Sequence, residues 1–303
     1  MPTNRFENYQ NVKPSIVAIA AKVMSNPEFP DIIGTGFVVR PDGVILTNEH
    51  VVQAINKLPR QKDWGTDVWP AFVMYLHLIP ERGMAVVPLE IAGVGTIKAQ
   101  VPKDGVNYGP DTPDLGFIHV RVNGLPALKV AENFTLREGD EVMTAGFPMG
   151  SRTLRAPGWV HQLSPTLQSG LVSCVLPFPC NSPHAVLLDV MIQGGSSGSP
   201  VFDPRTSEVV GVIYANLSES MTIGGESGVL VYKNGTSHTL AIPSNHIQNA
   251  LSACDANVNW RRDAENAPSF QSIIDNAQFV THRPKTLSPV ARELGPDETS
   301  SSS

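Results

Sequence analysis

Charge is scarce in this chain. Only 17% of its 303 residues are charged, and 28 acidic residues outnumber 22 basic ones to leave a net charge of −6. Soluble domains usually carry roughly 25% charged residues. A general nucleic-acid binder needs a basic surface to displace counterions, so this balance excludes that class. Long apolar runs are missing too: no stretch approaches the ~20 residues a membrane-spanning helix requires. The opening Met1-Pro-Thr-Asn-Arg-Phe-Glu-Asn-Tyr has no basic segment followed by an apolar run of the secretory kind. There are 3 cysteines, Cys174, Cys180 and Cys254, an odd number that cannot pair completely. Cys174 and Cys180 could close a small loop, but reduced thiols suit a chain without an export signal better. None of the three sits in a metal-ligand pattern, and no internal repeat is present. The expectations are a cytoplasmic protein with no metal or cofactor and no nucleic-acid or membrane partner.

Backbone punctuation, by contrast, is abundant, with 25 glycines and 26 prolines among residues of which 41% are hydrophobic. That composition disfavours a helical bundle and still allows a sizeable core. Short apolar runs recur between Gly, Pro, Asn and Asp: 33–47 with a turn at Pro41-Asp42-Gly43, then 117–122, 141–145, 170–176, 185–192, 209–214, 229–232 and 238–242. Many short strands at close spacing imply a sandwich or closed barrels. Two stretches, 53–95 and 151–166, read as excursions from the strand core. Helical periodicity comes late. Ile247, Leu251 and Cys254 fall on one face after Asn245, and a shorter helix from Ser269 presents Phe270, Ile273, Ile274 and Ala277. Beyond about Thr281 the chain is a polar tail.

Three positions carry candidate chemistry, in the order His, Asp, Ser. His50 follows Ile45-Leu-Thr-Asn-Glu and is expected at a strand end. Asp114 opens Asp114-Leu-Gly-Phe-Ile-His-Val. Ser197 lies in the turn Gln193-Gly-Gly-Ser-Ser-Gly-Ser-Pro. A serine hydroxyl is a poor nucleophile until an imidazole takes its proton. A carboxylate behind the imidazole fixes its tautomer and stabilises the imidazolium. The glycines at 194, 195 and 198 would let the amides of Gly195 and Ser197 converge as an oxyanion hole.

In these blocks the chain resembles the trypsin-like serine proteases, and most closely the protease domain of the HtrA (DegP/Deg) family. Val12-Lys-Pro-Ser-Ile-Val-Ala-Ile is similar to that family's opening strand. Gly34-Thr-Gly-Phe-Val-Val-Arg-Pro-Asp-Gly-Val-Ile-Leu-Thr-Asn-Glu-His-Val-Val is similar to its histidine block, and Asp114-Leu-Gly-Phe-Ile-His-Val to its aspartate block. Leu136 to Gly150, Ser169-Gly-Leu-Val-Ser, Gly195-Ser-Ser-Gly-Ser-Pro-Val-Phe, Gly211-Val-Ile-Tyr-Ala and Ala241-Ile-Pro-Ser-Asn follow in the family's order. The resemblance covers about 12–252. It implies an all-β fold of two six-stranded antiparallel β-barrels (chymotrypsin/trypsin-like) over 1–252, with the junction near 125–135. Residues 253–303 are then a helical extension and tail. It implies a serine endopeptidase acting on protein or peptide, with His50 as general base, Asp114 as its orienter and Ser197 as nucleophile.

The departures are specific. Ser199 stands where the family has glycine, adding a Cβ at a close backbone approach. Ser196, before the nucleophile, is no acid, so activation by a freed N-terminus is not expected. His50 and Asp114 are 64 residues apart (114 − 50), about twice the usual gap, which marks 53–95 as an inserted excursion. The 51 residues after 252 (303 − 252) are too few for a PDZ module. By the trypsin-like pattern Met191 would floor the first specificity pocket. Tyr214 and Ala215 would wall it, and peptide would add along Ile213 to Asn216. A pocket without an acid disfavours Lys or Arg and favours medium apolar side chains. Two other readings stay open. One is a catalytically inactive trypsin-like module that binds peptide. The other is an α/β-hydrolase-type esterase using Ser196 in Gly194-Gly-Ser-Ser-Gly198. Monomer and trimer are both open.

Overall fold

The computed structural model describes residues 5–23, 31–79, 83–96, 111–148, 164–180, 182–225, 228–255 and 266–277. Twelve strands close into two antiparallel barrels of six. The first runs β1 (Ile16–Ala21), β2 (Ile32–Arg40), β3 (Val44–Thr47), β6 (Gly116–Val120), β5 (Gly83–Thr96), β4 (Ala71–Ile79). The second runs β10 (Pro200–Phe202), β11 (Val209–Gly225), β12 (Gly228–Pro243), β9 (Ala185–Asp189), β8 (Thr166–Leu176), β7 (Glu141–Gly146). The expected all-β, two-barrel class is what the chain adopts, and no α/β sheet with an elbow is present among the described residues. The strand β10 starts at Pro200, where an elbow would need a helix.

Three apolar clusters explain why several strands read as unbroken hydrophobic runs. In β1, Val17 and Ile19 point into the first barrel with Ile45, Val73 and Ile118. Ile16, Ala18 and Ala20 point the other way, into a cluster that joins Phe37, Leu46 and Phe117 to Met143, Ala145, Phe202 and Val212 of the second barrel. Both faces are dry, so the alternation of a half-exposed strand disappears. Val142, Val172, Val186, Leu188, Val201 and Ile213 fill the second barrel.

The stretch 53–95 is not an excursion. It holds the end of helix α2 (Glu49–Lys57) and the barrel strands β4 and all but the last residue of β5. Pro88 makes β5 hard to see, because proline cannot donate to a ladder. It pairs with Met74 on one side, whereas pairing with β6 begins only at Ile91, so on that second side no partner strand faces it. Of the other expected excursion, residues 151–163 lie outside the described residues. The expected strands 229–232 and 238–242 are one, since β11 and β12 stay in register from Gly225↔Gly228 back to Gly211↔Pro243 with two bulges.

Short helix α1 (Arg5–Val12) precedes β1, and α3 (Ser244–Asp255) buries Ile247, Ala250 and Cys254. The last described helix, α4 (Phe270–Asp275), is capped by Ser269 Oγ, which accepts from Ser272 N–H at 3.1 Å. It is the expected short helix from Ser269, and it packs on the first barrel. Phe270 and Ile274 join the first-barrel core, with the Phe270 and Tyr75 rings 5.0 Å apart, and Phe270 N–H donates to Asn123 O at 2.7 Å. All three cysteines are free thiols. No helix among the described residues is long and apolar enough to cross a membrane.

Candidate active site

His50 lies in the first turn of α2 rather than at a strand end. β3 stops at Thr47, Asn48 takes the extended N-cap conformation, and Val51, Val52 and Ile55 turn the helix's apolar face onto the barrel. This leaves the His50 side chain 47% exposed. Asp114 sits just before β6 and uses both carboxylate oxygens on His50. Oδ1 accepts the backbone N–H at 3.0 Å, and Oδ2 lies 2.5 Å from ring Nδ1. A carboxylate can only accept, so Nδ1 carries the proton and Nε2 of the neutral ring is the basic nitrogen. Asn48 Nδ2 donates to Asp114 O at 2.8 Å and fixes the aspartate's backbone. The fit leaves no slack: a Cβ on Gly116 would stand 2.8 Å from Asn48 O.

Two tight turns meet at Ser196, and Ser197 is the second residue of the second. Ser196 N–H donates to Gln193 O and Ser199 N–H to Ser196 O, both at 3.0 Å. The third residue of each turn is a glycine in the left-handed region, Gly195 at φ 97° and Gly198 at φ 86°, while Gly194 and Ser197 are not. That is the type II pattern, and it accounts for the glycines at 195 and 198. Gly198 is fixed twice over, since a Cβ there would approach Thr35 O to 2.1 Å.

Both barrels hold this loop. Gly198 N–H donates to Ile213 O and Ile213 N–H to Ser199 O, each at 3.0 Å, tying it to β11. From the first barrel, Thr35 N–H donates to Ser197 O at 2.9 Å and Thr35 Oγ1 donates to Gly195 O at 2.7 Å. Gly34 marks the convergence: a Cβ there would meet Val51 Cγ1 at 2.8 Å and Ser197 O at 3.5 Å. The loop bearing Ser197 and the helix bearing His50 therefore meet at the barrel seam.

Of the other expected residues, Ile213 is buried, and Tyr214, Ala215 and Asn216 are half-buried. Burial, and then the charge of Asp114, holds the Tyr214 phenol above its ordinary range. β10 pairs with β11 only as far as Val212, so 214–216 have β12 on one side and no strand on the other among the described residues. Met191 is 57% exposed, whereas the neighbouring Ile192 is 9% exposed and belongs to the second-barrel core. Ser196 is 4% exposed, unlike an elbow nucleophile. Sequence reasoning assigned no role to Thr35, Asn48 or Gly146. The signal for the first was a hydroxyl between two glycines on an otherwise apolar strand. No group of three or more His, Cys, Asp or Glu that could hold a metal occurs among the described residues.

Comparison with known proteins agrees with this frame. A family model for the trypsin-like peptidase domain matches residues 34–212, a span that contains His50, Asp114 and Ser197. "Serine protease HTRA2, mitochondrial" of Drosophila pseudoobscura pseudoobscura is 28% identical over 185 residues, covering 59% of this chain and 33% of that protein. A "Probable periplasmic serine endoprotease DegP-like" of Marinomonas sp. is 28% identical over 181 residues, covering 59% and 29%. The chain thus spans about a third of the length of these curated relatives. Among solved structures, the serine endoprotease from Yersinia pestis is similar at a TM-score of 0.48 and 16% identity, covering 85% of this chain and 68% of that one. With the family match running over well more than half its length, the chain belongs to the trypsin-like peptidases.

Proposed function

We propose that the chain is a serine endopeptidase. In this reading Ser197 attacks the scissile carbonyl, His50 takes the hydroxyl proton and returns it to the leaving amine, and water releases the acyl-enzyme. The observation that carries it is the 2.5 Å contact of Asp114 Oδ2 with His50 Nδ1, which leaves Nε2 as the base. The amides of Gly195 and Ser197 are the oxyanion donors, supported by the left-handed φ of 97° at Gly195, which type II geometry requires.

Substrate binds as an extended strand along Tyr214 to Asn216, a reading supported by the open side of β11 there. No carboxylate occurs in 190–199 or 211–217, so medium apolar residues are favoured over Lys or Arg before the cut bond. A cytoplasmic setting is part of this proposal, and the three free thiols fit it. The deciding experiment is labelling with a fluorophosphonate followed by peptide mapping. Label on Ser197, lost in His50→Ala, supports the endopeptidase. A folded chain that stays unlabelled supports a peptide-binding module, and label on Ser196 supports the esterase.

A further inference from the structure

We propose that Thr35 is a positioning residue for this chemistry: it sets the register between the barrel that carries His50 and the turn that carries the oxyanion donors. The inference rests on the peptidase reading above. Thr35 is fully buried on β2 and uses every polar atom it has. Phe147 N–H donates to Thr35 Oγ1 at 3.1 Å, and an N–H can only donate, so the hydroxyl proton must go to Gly195 O, 2.7 Å away. Thr35 N–H takes Ser197 O at 2.9 Å, so one residue grips the carbonyls on both sides of Ser196. Thr35 O in turn accepts from Thr47 Oγ1 at 2.7 Å, one residue before Asn48 and three before His50.

Acid–base and oxyanion halves come from different barrels, and a misplacement of about 1 Å between them costs about 100-fold in rate. Glycine-rich turns have little stiffness of their own. Thr35 supplies the missing constraint by fastening Gly195 and Ser197 to the strand pair that leads into α2.

The test compares Thr35→Val, which keeps the volume and removes the hydroxyl, with Thr35→Ser, which keeps the hydroxyl. Thr35→Val is expected to lower kcat about 10- to 100-fold with KM within about 3-fold, because the peptide-binding edge of β11 is untouched. Inhibition by a peptide aldehyde, whose adduct oxygen occupies the oxyanion position, should weaken by the same factor. Thr35→Ser should stay within about 3-fold of the parent on all three measures. Amide exchange measured by NMR reads the grip without turnover. The Ser196 N–H, which closes the turn on Gln193 O, should exchange about 10-fold faster in Thr35→Val and normally in Thr35→Ser. Equal losses in both variants, an unchanged kcat in Thr35→Val, or unchanged Ser196 exchange overturns the proposal. A parent chain that hydrolyses nothing counts against the peptidase reading instead, and the exchange comparison still decides whether Thr35 holds the turn.

Discussion

Gly146 and Ser199 share a single side chain's worth of space at the barrel seam. A Cβ on Gly146 would lie 2.0 Å from Ser199 Oγ, 3.1 Å from Ser199 Cβ and 2.9 Å from Thr35 Oγ1. Ser199 is 2% exposed, and its hydroxyl has no protein partner among the described residues. The extra Cβ two residues past the candidate nucleophile is thus housed by the absence of one at the end of β7. Gly146→Ala should destabilise the fold by about 1–3 kcal/mol through overpacking. Adding Ser199→Gly should recover more than half of that loss, since it removes two of the three close atoms. Urea unfolding of the two single variants and the double variant measures the coupling.

Gly198 should respond to substitution far more sharply than Gly194. Gly198→Ala forces a Cβ to within 2.1 Å of Thr35 O at φ 86°, a combination of left-handed strain and overpacking worth about 2–5 kcal/mol. Gly194→Ala meets nothing within 4 Å and needs no left-handed backbone, so its unfolding free energy should stay within about 0.5 kcal/mol of the parent. Equal destabilisation at both positions would contradict the turn geometry.

Within the proposed triad, Asp114→Asn should reduce kcat by about 10⁴-fold while leaving the fold intact, because an amide in that place favours the wrong imidazole tautomer. Ser196→Ala, buried and outside the row, should change kcat by no more than about 3-fold, or ~0.6 kcal/mol in barrier. Steady-state hydrolysis of a fluorogenic peptide series distinguishes the two.

His246 on α3 provides a pH signature of stability. Its ring is buried with Nε2 3.0 Å from Pro183 O. Burial, joined by the nearby His184, holds its pKa below the ordinary 6.5 against the opposing pull of that carbonyl. The unfolded chain therefore takes up a proton before the folded one does. The stabilisation is complete above about pH 6.5 and drains away as the pH falls toward the folded value. Urea midpoints between pH 7.5 and 5 should fall less steeply in His246→Gln than in the parent.

The segments around His50, Asp114 and Ser197 were legible because each is a local run whose neighbours state its geometry: an apolar strand, a turn, a glycine pair. β4 and β5 were not, although Ala71 to Ile79 is almost wholly apolar, because Trp64, Trp69 and the prolines around them resemble loop chemistry. Only the closure of the barrel reveals that Pro88 sits in a ladder with β4, before the pairing with β6 begins at Ile91. The β11–β12 hairpin was cut short for a similar reason. Asn234 and Gly235 look like turn residues, yet they pair with Glu219 and Ser218 inside a ladder.

The docking of α4 has a consequence for the order of events during synthesis. All six strands of the first barrel are made by Val120, yet Tyr75 inside it is covered by Phe270, which leaves the ribosome 150 residues later (270 − 120). The amino-terminal half, the one that holds His50 and Asp114, is therefore the last to be completed. A nascent chain arrested after the second barrel would carry an unplugged first one.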